Sequence, residues 1–150
     1  MPAFDPTKWS GLEQFQNNCY DYAIDRPDNY SREPGALAKL DPIVPWTRDV
    51  LISHATADGL RPIGGPNDCH GQDCWPVALF LRPADSDYHW YRRDDDGTWS
   101  HKEGPDAVTN LDEDGAVIRD PMTCARPVYT EFVSYFCVCR SRLHAPQGPQ

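Results

Sequence analysis

The chain has no stretch approaching the roughly 18 consecutive apolar residues needed to cross a membrane, so a membrane span is not expected. Basic residues are in short supply, 14 Lys and Arg against 23 Asp and Glu, for a formal net charge of −9. The basic residues are scattered, and Arg92-Arg93 is answered at once by Asp94-Asp95-Asp96. A phosphate backbone is held by clustered cations that release counterions, so nucleic acid is excluded as a partner. Internal repeats and low-complexity tracts are absent. The segment Met1-Pro2-Ala3-Phe4-Asp5-Pro6 offers neither a basic n-region nor an apolar h-region, so no Sec signal peptide is expected.

What is present fits one folded domain over 1–150, with an irregular lead-in at 1–16, where Leu12 and Phe15 tuck down, and a frayed tail at 144–150. Five Trp, seven Tyr and five Phe supply a core, while 15 Pro and 10 Gly demand many turns and short elements. Residues 27–45 carry four prolines and read as a long surface loop. Apolar positions at Trp46, Val50, Leu51 and Ala55, closed by Gly59, predict a second helix. Val77–Leu81 reads as a central strand buried on both faces. Tyr88–Arg93 and Thr98–Lys102 form a hairpin, Val108–Ile118 an irregular one, and Tyr129–Val138 a late strand. The expected fold class is α+β, with a short helix packed on an antiparallel sheet of four to six strands.

Six cysteines, at 19, 69, 74, 124, 137 and 139, exceed ordinary cytosolic use and point to an oxidising destination. With no Sec signal, the expectation is a secreted or periplasmic protein delivered by another route. The expected bridges are a local Cys69–Cys74 loop and one from Cys124 to Cys137 or Cys139. Cys137 and Cys139, two residues apart on a strand, share a face and are not expected to bond each other. Cys19 stands apart. Zinc on the late cysteines is disfavoured because neither pair forms a CxxC knuckle, and a turn suffices to explain Asp112-Glu113-Asp114-Gly115 without calcium. No metal and no cofactor is expected.

Asn18 followed three residues later by Asp21 resembles a capping box, which places Cys19 at the first position of a helix. There the backbone N–H groups and helix dipole are expected to lower the thiol pKa and to receive an oxyanion. If the hairpin turns about Asp95, His89 stands opposite His101, and their even spacing puts both on one face. His89 is then the candidate base and His101 the group that fixes its tautomer. Asp94, Asp95 and Asp96 are read as solvated at the tip. Trp90 and Trp99 are read as core residues facing away from the histidines.

A helix-borne Cys19, a strand-borne His89 and a second histidine twelve residues on, after a Gly-containing turn, resemble the NlpC/P60 branch of the papain-like cysteine hydrolases over residues 17–102. The resemblance implies a papain-like fold and amide hydrolysis through an acyl-thioester, with Cys19, His89 and His101 catalytic. It also implies peptide or peptidoglycan as substrate, commonly cut at a γ-D-glutamyl–diamino-acid link. A wall-cutting effector of this kind would have an immunity or inhibitor protein as a further partner. Papain relatives use an upstream Gln for the oxyanion, but Gln14 and Gln16 are at the wrong spacing, so the Cys19 N–H is the expected donor. The alternatives are a deamidase or acyl or transglutaminyl transferase on a protein target, and a non-catalytic, disulfide-stabilised extracellular binding module.

Overall fold

A computed structural model describes residues 1–144. Three α-helices precede or flank one antiparallel sheet: α1 (Leu12–Gln16), α2 (Cys19–Ala23) and α3 (Arg48–Ala57), with strands β1 (Arg61–Ile63), β2 (Cys74–Arg82), β3 (Asp87–Arg93), β4 (Trp99–His101) and β5 (Glu131–Cys139). The strand order is β1-β5-β2-β3-β4, and every pairing is antiparallel. The α+β class and the strand count of four to six are as expected. No regular helix or strand lies between 24 and 47, where the four prolines fall.

β2 is central and buried along almost its whole length, as its unbroken apolar run requires. One face of the sheet, carrying Trp75, Val77, Leu79, Trp90 and Phe136, packs under α2 and α3. The opposite face holds a second cluster around Ala78, Phe80, Tyr91, Trp99 and Tyr135, closed by Ile118. Trp90 therefore faces away from His89 as expected. Trp99 does not: two residues before His101 on β4, it shares that histidine's face and is buried in the second cluster.

α3 begins where Thr47 accepts a hydrogen bond from the Val50 N–H, and Gly59, at φ +108°, follows its end. The lead-in departs from expectation. Leu12 and Phe15 lie on the surface, 61% and 66% exposed, and Trp9 is the residue that buries, against Tyr22. α1 is a five-residue helix with no side-chain cap, and one turn has too few hydrogen bonds to impose an apolar face. Of the expected frayed tail, 145–150 lie outside the described residues; His144 is exposed, and its N–H donates to Asp58 O at 2.9 Å.

The irregular hairpin from Val108 onward extends the sheet past β4. His101 and Thr109 exchange backbone hydrogen bonds, and Trp99 N–H donates to Ile118 O. Asp112 organises its turn by accepting from the N–H groups of Asp114, Ala116 and Ala125, so the turn accounts for this carboxylate as anticipated.

The disulfides are Cys69–Cys137 and Cys74–Cys139, which corrects the expected pairing. Cys74 is the register partner of Cys139 across β2 and β5, at a Cα separation of 4.0 Å. Cys137 is paired in register with Arg61 on its other side, next to the turn that carries Cys69. Strand pairing between cysteines more than 60 residues apart decided the bridges, which local spacing does not report. Cys137 and Cys139 do share a face, with their sulfurs 3.8 Å apart and not bonded, and Cys19 and Cys124 are free.

A buried ion network fixes α2 against the hairpin. Arg92, fully buried, donates to Asp94, to the Tyr22 carbonyl and hydroxyl, and to Ala3 O. Asp94 also accepts from Ser100 at 2.5 Å. Asp94 is thus a core residue and not a solvated tip residue. The turn lies one residue further along, with Asp94 N–H bonded to Thr98 O and Gly97 at φ +84°. A three-residue loop ending in a left-handed glycine is a standard hairpin solution.

Candidate functional site

Each expected site residue is delivered by local structure that the sequence encodes. The capping box forms in both directions: Asn18 Oδ1 accepts from Asp21 N–H and Asp21 Oδ2 accepts from Asn18 N–H, both at 3.0 Å. A cap of this kind contributes about 1 kcal/mol. Cys19 occupies the first helical position and is buried, 8% exposed. Asn18 Nδ2 donates to Arg32 O and Arg32 pairs with Asp21, which ties the start of α2 to the loop beyond it.

His89 and His101 are not opposite each other. The register pairs Tyr91 with His101, two residues from the expected partner. A two-residue shift preserves side-chain parity, so the rings still meet on one face as diagonal neighbours. His89 Nε2 lies 2.8 Å from His101 Nδ1, and His101 Nε2 lies 2.9 Å from Leu111 O. Tyr129 stacks on the His89 ring with centroids 5.1 Å apart, and Tyr91 meets it edge-on.

These contacts assign the protons. A carbonyl oxygen only accepts, so His101 Nε2 carries the hydrogen given to Leu111. In the neutral ring His101 Nδ1 is then an acceptor, and His89 Nε2 donates to it. His89 Nδ1 is left with a lone pair and has no partner among the described residues. Both rings are neutral: burial, with His101 next, lowers the His89 pKa well below its ordinary value, and burial also lowers that of His101.

Cys19 and His89 line one cleft of about 400 Å³, together with Glu33, Tyr88, Glu103 and Tyr129. The backbone of Trp90, next in the chain after His89, faces the thiol. The expected lowering of the thiol pKa is not found. Burial raises it strongly, Asp87, Glu33 and Asp21 add to the rise, and the Trp90 backbone opposes it. A five-residue helix has too small a dipole to offset that desolvation. The resting site is therefore a neutral thiol and a neutral imidazole lining one cleft. Its chemistry is general-base assistance when an electrophile is present, not storage of a thiolate.

Three contributors were not legible in the sequence. Lys102 is buried and its ammonium donates to the backbone carbonyls of Gln14, Asn17 and Gly104, clamping the segment before Cys19 onto β4. Glu33 accepts from the Tyr88 hydroxyl across 55 residues. Glu103 comes so near that its carboxylate and the two imidazoles have ligand atoms all within 4.8 Å of one another. That trio has the donor types of a transition-metal site, but the short bond between the rings already uses one nitrogen of each.

The chain is 34% identical over 139 residues to the insoluble matrix shell protein 1 of Ruditapes philippinarum, a match spanning 90% of this chain and 88% of that protein. It belongs to the insoluble matrix shell protein 1 family. Cys19, His89 and His101 all fall inside the stretch matched to that family. No protein-family model and no solved structure matches the chain. The geometry of this family member is thus read from its own residues.

Proposed function

We propose that the chain is a papain-like thiol amidase, with Cys19 as nucleophile, His89 as base and His101 as the residue that orients it. The observation that carries this reading is the relay from Leu111 O through His101 to His89, which leaves a lone pair on Nδ1 of a histidine that lines the same cleft as Cys19. Peptidoglycan peptides are the substrate that the NlpC/P60 resemblance suggests.

In the proposed reaction His89 Nδ1 takes the thiol proton as Cys19 Sγ attacks the amide carbon. The Cys19 N–H, at a helix start with no intrahelical acceptor, donates to the oxyanion. Collapse expels the amine, which leaves with the proton held by His89, and gives the acyl-thioester. Water, deprotonated by His89, then attacks the thioester carbon; the acid departs and the proton returns to sulfur. An amine in place of water gives transfer, and the same centre then acts on a protein target. Peptides released from purified sacculi, compared between wild type and Cys19→Ala by chromatography, test the reading. Equal release by Cys19→Ala sinks it.

A second reading is supported by the family: a non-catalytic, disulfide-stabilised extracellular module that builds an insoluble matrix. Its supports are the name of the relative and the two disulfides pinning β5 to β2 and to the Cys69 turn. Both readings place the protein outside the reducing cytosol. The matrix reading expects Cys19→Ala to leave incorporation into an insoluble matrix unchanged and expects no chemistry from the wild type. Assaying both properties on the same two proteins separates the readings.

A further inference from the structure

The walls of the Cys19 cleft carry charge of one sign. Glu33, Asp87, Glu103 and Asp106 line it, and a neighbouring cleft of about 320 Å³ shares Glu103 and Asp106 and adds Asp112 and Glu113. No Lys or Arg lines either cleft among the described residues. Lys102 lies next to His101, but its ammonium is occupied by three backbone carbonyls. Arg82 answers Asp87 from outside at 3.4 Å while pairing more closely with Asp85. Glu33 is bonded by the neutral Tyr88 hydroxyl and has no cationic partner among the described residues.

Two further observations set this acidity apart from a solvated face. Glu103 and Glu113 line the neighbouring cleft together, and burial, with that neighbour next, pushes the Glu103 carboxyl up to about 7. Two carboxyls driven together without a cation is an arrangement a bound cation relieves. The same cleft is lined by His89, 2% exposed, whose Nδ1 has no partner among the described residues. Folding has therefore gathered acids around the reacting groups while leaving their countercharge to come from elsewhere.

We propose that the cleft recognises a positively charged group, the ammonium or guanidinium of a lysine- or arginine-bearing peptide, beside the bond presented to Cys19. This rests on the thiol-amidase reading. Glu103 and Asp106, shared by both clefts, hold the cation nearest the imidazoles, and Glu33 extends the negative field on the side of Tyr88. A walled acidic cleft raises the local concentration of cations and repels anions.

The test uses the full chain with Cys124→Ser, so that Cys19 is the one free thiol. Cys19 is modified by two methanethiosulfonates of similar size, one carrying trimethylammonium and one sulfonate. The cation-to-anion rate ratio at Cys19 is expected to exceed that of N-acetylcysteine amide about tenfold. E103Q with D106N brings it back toward the free thiol, while D95N, at the exposed hairpin turn, leaves it unchanged. In parallel, a proteome-derived peptide library is expected to be cut at bonds flanked by Lys or Arg. Modification or cleavage with no charge preference overturns this proposal and leaves the amidase reading standing. Charge preference without cleavage overturns the amidase reading and keeps the cation site. A Cys19 that neither reagent modifies in the native protein overturns both.

Discussion

His89 and His101 sit diagonally across β3 and β4, two residues from register partners, with His89 Nε2 2.8 Å from His101 Nδ1. The bond is possible because the diagonal approach turns the rings nearly perpendicular, at 83°, and lets Leu111 O complete the relay. Long-range proton–nitrogen NMR spectra should find both rings neutral with hydrogen on Nε2, and unchanged between pH 8 and 6. A cationic ring, or an Nδ1–H tautomer of His89, contradicts the assignment.

The same two histidines set a pH dependence of stability. In the unfolded chain they take up protons near 6.5, whereas burial keeps them neutral in the fold to lower pH. The unfolded state then binds more protons, so their stabilising contribution is complete above about 6.5 and is lost as the pH falls. Asp21, raised to about 6 by burial, and Glu103, raised to about 7, act in the opposite sense. The decisive quantity is therefore a difference. Urea midpoints of wild type should fall more steeply than those of His101→Gln on acidification from pH 7 to 5.

Cys19 should alkylate slowly at rest. Burial and three nearby carboxylates hold the thiol protonated at neutral pH, so iodoacetamide should label it more slowly than a free cysteine, with a rate still climbing above pH 8.5. Titration of the unreduced, denatured protein should give two thiols per chain, Cys19 and Cys124. A plateau in labelling below pH 7 denotes a stored thiolate and contradicts the neutral pair.

Local signals carried the site and non-local ones did not. The Asn18–Asp21 box spans one turn, so it could be read directly and placed Cys19 correctly. The shared face of His89 and His101 survived a misplaced turn because a strand's side-chain period is two, and the register moved by two. The disulfides could not be read, because Cys74 meets Cys139 only through the pairing of β2 with β5. Asp94 looked like part of an exposed acidic turn. Its burial follows from Arg92, whose partners come from residues 3, 22 and 25. Glu33 and Glu103 reach the cleft from separate loops with no motif to announce them.

The two disulfides should be strongly non-additive. Each closes a loop of more than 60 residues, with separations of 68 and 65, and a single crosslink of that span is worth about 4 kcal/mol in the chain-entropy account. The loops are nearly coincident, so once one bridge exists the other closes only a few more residues. Cys69→Ser with Cys137→Ser should therefore cost about a third of the loss on removing all four cysteines. Equal and additive losses in urea denaturation contradict this account.

Lys102→Met should unfold the approach to Cys19 before it unfolds the sheet. The substitution keeps the apolar stem but removes the ammonium from the carbonyls of Gln14, Asn17 and Gly104. Leaving buried acceptors unpaired costs on the order of 3 kcal/mol. Met cannot donate, and the carbonyls regain partners only if 14–17 lifts toward water. Asn17 directly precedes the capping residue Asn18, so lifting that segment strains the cap. Hydrogen exchange should quicken across 14–23 while β2 and β5, pinned by both disulfides, keep their protection. Uniform loss across the whole chain would instead make Lys102 a general core residue with no particular hold on Cys19.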